Sequence, residues 1–207
     1  MKTFWNSIQV AWEFIAHPRR SVEALQESPQ AGRHAWTFLL LSVSLWALLT
    51  GYVNIFLGTT ARGREMVLGI SMGPDILITL LTVPLGVGAV AFAAWLFALI
   101  ARRFGSIVPF RPTFYTLAFT LNVGSTFFDL PHEIGWAVST QAPWKLAECA
   151  PGFFYYTAVV MFGSILLSLI VTVIALAHLH RLSVPKTLLT FFLSVLPIFG
   201  ALIFVVM

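Results

Sequence analysis

Residues 153–177, FFYYTAVVMFGSILLSLIVTVIALA, carry no charged side chain, and neither do residues 187–207, TLLTFFLSVLPIFGALIFVVM. Only HLHRLSVPK, residues 178–186, separates the two runs. At about 1.5 Å rise per residue, each run is long enough to cross a hydrocarbon core of about 30 Å. The connection is too short to hold a domain, so the pair reads as an antiparallel membrane hairpin. Everything upstream is then read with lipid as its solvent.

Composition agrees. Hydrophobic residues make up 58% of the 207 residues and charged residues 10%, against about half and about a quarter in soluble domains. So few charges leave a soluble fold without a surface. The net charge of +4 is too small to point to nucleic acid. A single cysteine, Cys149, excludes an intrachain disulfide or a Cys-based metal cage within these residues and reads as a small packing residue.

Working outward, the uncharged segments place further spans at about 35–57, 76–101 and 112–130. With 153–177 and 187–207 they give an all-α membrane domain of five transmembrane helices over residues 35–207. Residues 1–34 form a cytoplasmic segment. In it Trp5, Ile8, Trp12 and Ile15 recur at spacings of three and four, one apolar stripe on a helix over 4–16. The two tryptophans fit an interfacial helix, and the same stripe packed on the protein's own helices fits equally. Pro18 ends that helix, and a second short one runs to Glu27. Lys2 is followed by mixed residues and then by His17-Pro18-Arg19-Arg20, unlike a secretory signal, so this segment is expected to be retained.

The second span holds Pro84, a kink site, followed by Gly86, Gly88, Ala89, Ala91, Ala93 and Ala94. Small residues let helices approach closely in lipid, so this face is expected to be a packing seam. The third span is the most polar, with Thr113, Thr116, Thr120, Asn122, Ser125, Thr126 and Asp129. Counting Lys and Arg loop by loop puts nine on the side of the N-terminal segment and three on the other. The positive-inside rule then places the N-terminus in the cytoplasm and the C-terminal end outside.

Two stretches carry a family resemblance. FIAHPRRSV at 14–22 resembles the Pro-Arg step that opens bacterial members of the Yip1-domain family. AHLHRLS at 177–183 with KTL at 186–188 resembles the basic, His-containing loop of their closing hairpin. The resemblance covers nearly the whole chain. It implies a five-span protein of the bacterial inner (cytoplasmic) membrane, with little assigned chemistry. The acidic-Leu-Tyr-Gly-type motif of eukaryotic members, which are described as partners of small Rab-type GTPases, does not occur in these residues.

No catalytic motif, metal cage or cofactor motif emerges. Gly86-Val87-Gly88 lies mid-span and follows no strand, which excludes a nucleotide loop, and no Ser/His/Asp arrangement is expected on one membrane face. The topology sets His178 and His180 about a bilayer thickness from Asp129, His132 and Glu133, so the two groups share no ion. His178 and His180 are two apart and point to different sides of a helix. With Arg102, Arg103 and Arg181 they are expected to meet anionic lipid headgroups. Glu133 suits the first turn of a new helix after Pro131. The leading functional expectation is a non-enzymatic membrane scaffold or accessory subunit with a membrane-protein partner or a second copy. The alternative is a small transporter for an ion, lipid or small solute along Thr120, Asn122, Ser125, Thr126 and Asp129.

Overall fold

The computed structural model describes residues 2–55, 72–131 and 151–206. His132, Glu133 and Cys149 lie outside them. The described residues are all-helical with short turns and contain no strand. In chain order they form α1 (Lys2–Ala16), α2 (Pro18–Glu27), α3 (Ala31–Ile55), α4 (Met72–Arg103) and α5 (Phe110–Gly124). A π-helical turn (Ser125–Asp129) continues α5, and α6 (Pro151–His180) and α7 (Val184–Val206) complete the set. Two segments, Leu81–Arg103 of α4 and Ala158–His180 of α6, are long and apolar enough to cross a membrane.

Local chemistry explains the boundaries. α1 stops at Ala16, and Pro18 opens α2 as its first residue, where a missing N–H costs nothing. Ser28 Oγ accepts from Gln30 N–H at 3.3 Å, a side-chain turn that starts α3 four residues earlier than its uncharged run. α4 and α6 end alike. After α4, Gly105 is left-handed at φ 89; its N–H bonds Arg102 C=O, and Ser106 N–H bonds Ala101 C=O. After α6, Arg181 N–H bonds His178 C=O, and Leu182 N–H bonds Ala177 C=O. Both are Schellman closures. The second forces Arg181 to φ 54, where a side chain with a Cβ is strained.

α1 lies against α3 and α5. Ser7, Ala11 and Phe14 are fully buried, whereas Trp5 and Trp12 are 64% and 50% exposed. The inward face of α1 is therefore the 7-11-14 row, and the tryptophans of the 5-8-12-15 stripe turn outward. Phe14 and Phe38 both stack on Phe119, at 5.3 and 5.4 Å between centroids, which locks α1, α3 and α5 together. α2 buries Ser21, Val22 and Leu25 and packs on α6. The expected small-residue seam of α4 is partly realised. Ala93, Ala94, Ala98 and Ala101 are buried, and a Cβ on Gly86 would press on Val43 of α3. Gly88 faces open space.

Among the described glycines the tightest contact lies elsewhere, between α5 and α6. A Cβ on Gly124 would fall on the Ser164 carbonyl oxygen and beside Ser168 Oγ. Gly124 N–H donates to Ser168 Oγ at 2.9 Å. At the other end Thr113 meets His180, so the helices are antiparallel in fixed register. The α5 side of this seam is Thr113, Thr116, Thr120 and Gly124, and the α6 side is Ser164, Ser168, Thr172 and His180, all buried. Spacings of three and four put the α5 set on one helical stripe, and Ser164, Ser168 and Thr172 recur every four residues on α6, with His180 eight positions further on.

Two stability outcomes follow. Gly124→Val is expected to destabilise the fold by roughly 1–3 kcal/mol, because backbone must move to admit the side chain. Arg181→Gly is expected to stabilise it by about 1 kcal/mol by removing the left-handed cost. Thermal unfolding of the purified chain in detergent measures both.

Candidate functional site

Three sites gather the polar residues: an end cleft, the α5–α6 seam and a groove at the seam's far end. The end cleft, about 720 Å³, is lined by Val22, Glu23 and Gln26 of α2, by residues 104–108 after α4, and by residues 177–182. Lys186 Nζ sits 5.9 Å from the Phe104 ring centre, a cation–π contact tying the start of α7 to the end of α4. Arg102, Arg103 and Arg181 are exposed at this end.

His180 forms the floor of the cleft. Its ring is 3% exposed, with Phe97 4.9 Å away between centroids. Thr113 Oγ1 donates its one proton to Pro109 C=O at 3.0 Å, so it must accept from His180 Nε2–H, also at 3.0 Å. Ser106 Oγ–H then donates to Nδ1 at 2.7 Å, and Val108 N–H donates to Ser106 Oγ at 3.3 Å. Donor counting thus places a proton on Nε2, and in the neutral tautomer Nδ1 accepts from Ser106. The expected role of His180 at the headgroup fringe is corrected. The turn of α6 that exposes His178 carries the second imidazole inward, where two hydroxyls satisfy it.

A Ser–His pair within hydrogen-bond reach invites a nucleophilic reading. Here a threonine hydroxyl stands where such systems place a carboxylate, and Ser106 is itself buried. The cluster holds the α4–α5 loop onto the end of α6. It is a structural clasp.

His178 points the other way, its Nε2 2.9 Å from Glu23 Oε1. The pair ties α2 to the end of α6 with both side chains partly in solvent, so its contribution is on the order of 0.2–1 kcal/mol. A second buried clasp, Ser7 Oγ to His34 Nδ1 at 3.1 Å, joins α1 to α3. It borders a cleft lined by Asn6, Gln9, Glu13 and Arg20.

The expected polar face of the third span is divided between seam and groove. Thr113, Thr116 and Thr120 are sealed in the seam, where the Thr116, Thr120 and Thr172 hydroxyls are buried with no hydrogen-bond partner. Asn122 bonds back to Ala118 C=O. Thr126 Oγ1 is buried and has no hydrogen-bond partner. Ser125 and Asp129 open into the groove. Asp129 stands sixteen positions beyond Thr113 on the same rod, about 24 Å at helical rise, which keeps it apart from the histidines. Among the described residues no three His, Cys, Asp or Glu side chains converge on a metal position.

The groove, about 510 Å³, runs between the π-helical turn, α6 and α7. Its walls are Leu121, Ile165, Leu169 and a row from Leu189 to Leu196; Ser125, Asp129, Ser164 and Ser168 supply the polar surface. The π-turn is defined by Leu130 N–H reaching Ser125 C=O, a widened geometry that occurs frequently at functional sites.

His180→Phe is expected to cost roughly 1–3 kcal/mol by stranding Ser106 and Thr113 in the interior. A double-mutant cycle of Ser106→Ala with His180→Phe, read by thermal unfolding, is expected to show coupling. Glu23→Gln is expected to change stability by less than about 1 kcal/mol. No family model, curated protein or solved structure matches this chain.

Proposed function

We propose that this chain is a five-span protein of the bacterial inner membrane, resembling Yip1-domain proteins and acting as a non-enzymatic scaffold or accessory subunit. One observation carries the reading: large apolar side chains cover the outside as well as the core, while hydroxyls sit inside. The serine and threonine hydroxyls of the seam are buried, whereas Leu85, Phe162 and Leu196 are 62%, 66% and 67% exposed. Water penalises both choices. Lipid favours both, since apolar side chains face the acyl chains and small hydroxyl residues knit helices together. Besides the two apolar segments in α4 and α6, the five spans are α3, α5 with its π-turn, and α7.

The outward tryptophans of α1 sit beside its exposed Asn6, Gln9 and Glu13, an arrangement suited to the interface on the cytoplasmic side. The shared cleft of α2, the α4–α5 loop and the α6–α7 turn supports putting their basic residues on that same side. Scaffolding is better supported than transport. Thr113, Thr116 and Thr120 of the third span are buried against α6, and the Gly124–Ser164 contact lies between them and the groove. Partner surfaces remain on α1 and on the exposed Gly88 face of α4.

Single cysteines in a Cys149→Ser background test the arrangement. Ser183→Cys is expected to react with an impermeant thiol reagent only from the cytoplasm, and Met207→Cys only from outside. Labelling of residue 207 from the cytoplasm would overturn the five-span topology. A polypeptide, or a second copy of the chain, co-eluting in fixed stoichiometry from mild detergent is expected for the scaffold. Solute flux through liposomes holding the chain alone would favour the transporter.

A further inference from the structure

The cleft between α1 and α2, about 570 Å³, lies within the size range of small-molecule sites. Its α1 wall is Asn6, Gln9 and Glu13, whose spacings of three and four put them on one stripe. Its α2 wall is Arg20 and Ser21, and α3 contributes His34. Two of these side chains are at least nine-tenths buried and still keep an unused polar atom: Ser21 is 7% exposed and His34 9%. Ser7 Oγ engages His34 Nδ1 at 3.1 Å. Among the described residues His34 Nε2 has no hydrogen-bond partner, and neither has Ser21 Oγ. Neither atom is sealed in, unlike the seam threonines. Largely buried polar atoms that open only onto a cleft are completed by whatever occupies it.

The charges on the walls are a separate observation. Glu13 sits in the last turn of α1 and Arg20 in the first turn of α2. The macrodipole disfavours both, since the C-terminal end of a helix repels an anion and the N-terminal end a cation. They do not offset each other either. Both line one cleft, yet among the described residues neither is in an ion pair. Helix stability therefore gives no reason for either charge. What the two supply is an acceptor on one wall and a donor fork on the other. A purely cationic ligand would be repelled by Arg20 and a purely anionic one by Glu13. A ligand with both signs finds its complement on each wall.

We propose that this cleft binds a small zwitterion, a molecule with a primary ammonium and an acidic oxygen group a few bonds apart. The ammonium goes to Glu13, the anion takes Arg20 and Ser21 Oγ–H, and His34 Nε2 serves either end according to its tautomer. The site stands on the α1–α2 geometry and does not depend on the five-span reading. Charge-assisted hydrogen bonds of this kind discriminate by on the order of tenfold each.

The test is titration calorimetry of the full chain in detergent with glycerophosphoethanolamine as the zwitterion, and with ethanolamine and inorganic phosphate as its halves. The zwitterion is expected to bind about tenfold or more tightly than either half. Glu13→Gln and Arg20→Gln are each expected to weaken it about tenfold. Thermal unfolding of both variants is expected to stay level or rise slightly, because each removes a charge from the wrong helix end. Absence of measurable binding, phosphate binding as tightly as the zwitterion, or unchanged affinity in either variant overturns the site. Lost stability with affinity kept marks the two charges as structural and overturns it as well. An ethanolamine phospholipid and a free solute carry the same chemistry, and reconstitution separates them. The chain is placed in vesicles of ethanolamine- and choline-headed phospholipids with identical acyl chains, extracted gently and weighed by native mass spectrometry. Ethanolamine lipid retained over choline lipid and displaced by glycerophosphoethanolamine supports the site with a head group as occupant. Soluble binding without that preference supports it with a free solute.

Discussion

The contact of α5 with α6 organises the molecule. At one end His180 is held by Ser106 and Thr113; at the other Gly124 lets the two backbones touch at Ser164. Between them the facing rows are mostly small and hydroxylated. The cohesion of the seam comes from close van der Waals contact and from the hydrogen bonds of Thr113 with His180 and of Gly124 with Ser168. The short row of small side chains is therefore a condition of the fold rather than a weakness of it.

That seam also sets what the polar residues can do. Hydroxyls placed between two touching helices are held there, and only where α5 widens into the π-turn do Ser125 and Asp129 reach an open surface. The same rod thus carries a buried clasp at its start and a chemically distinct groove at its end. The two histidines near the end of α6 show the same logic on a smaller scale. Two positions apart, one is a buried pin and the other a partly solvated tether to α2.

The N-terminal helices fit this frame as a layer strapped onto the bundle. The Phe14–Phe119–Phe38 stack and the Ser7–His34 contact fix α1, and the Glu23–His178 pair fixes α2. Once the 7-11-14 row is spent on the protein, the tryptophans must face outward.

Several features were legible in the amino-acid order alone. Long uncharged runs, prolines at helix starts and the near absence of charge fix an all-helical chain, because hydropathy and backbone chemistry act locally. The divergence of His178 and His180 was equally plain, since helical periodicity alone separates positions two apart. What the order could not decide was which of two stripes of α1 turns inward, or that the tightest seam is Thr113-Thr116-Thr120-Gly124 against Ser164-Ser168-Thr172-His180 rather than the glycines and alanines of α4. The spacing of that seam is visible in hindsight, but a small-residue row becomes an interface only when another helix presents a matching row in register. That register, the burial of His180 and the meeting of Asp129 with α7 in one groove arise from contacts between residues far apart in the chain. Only the folded bundle brings them together.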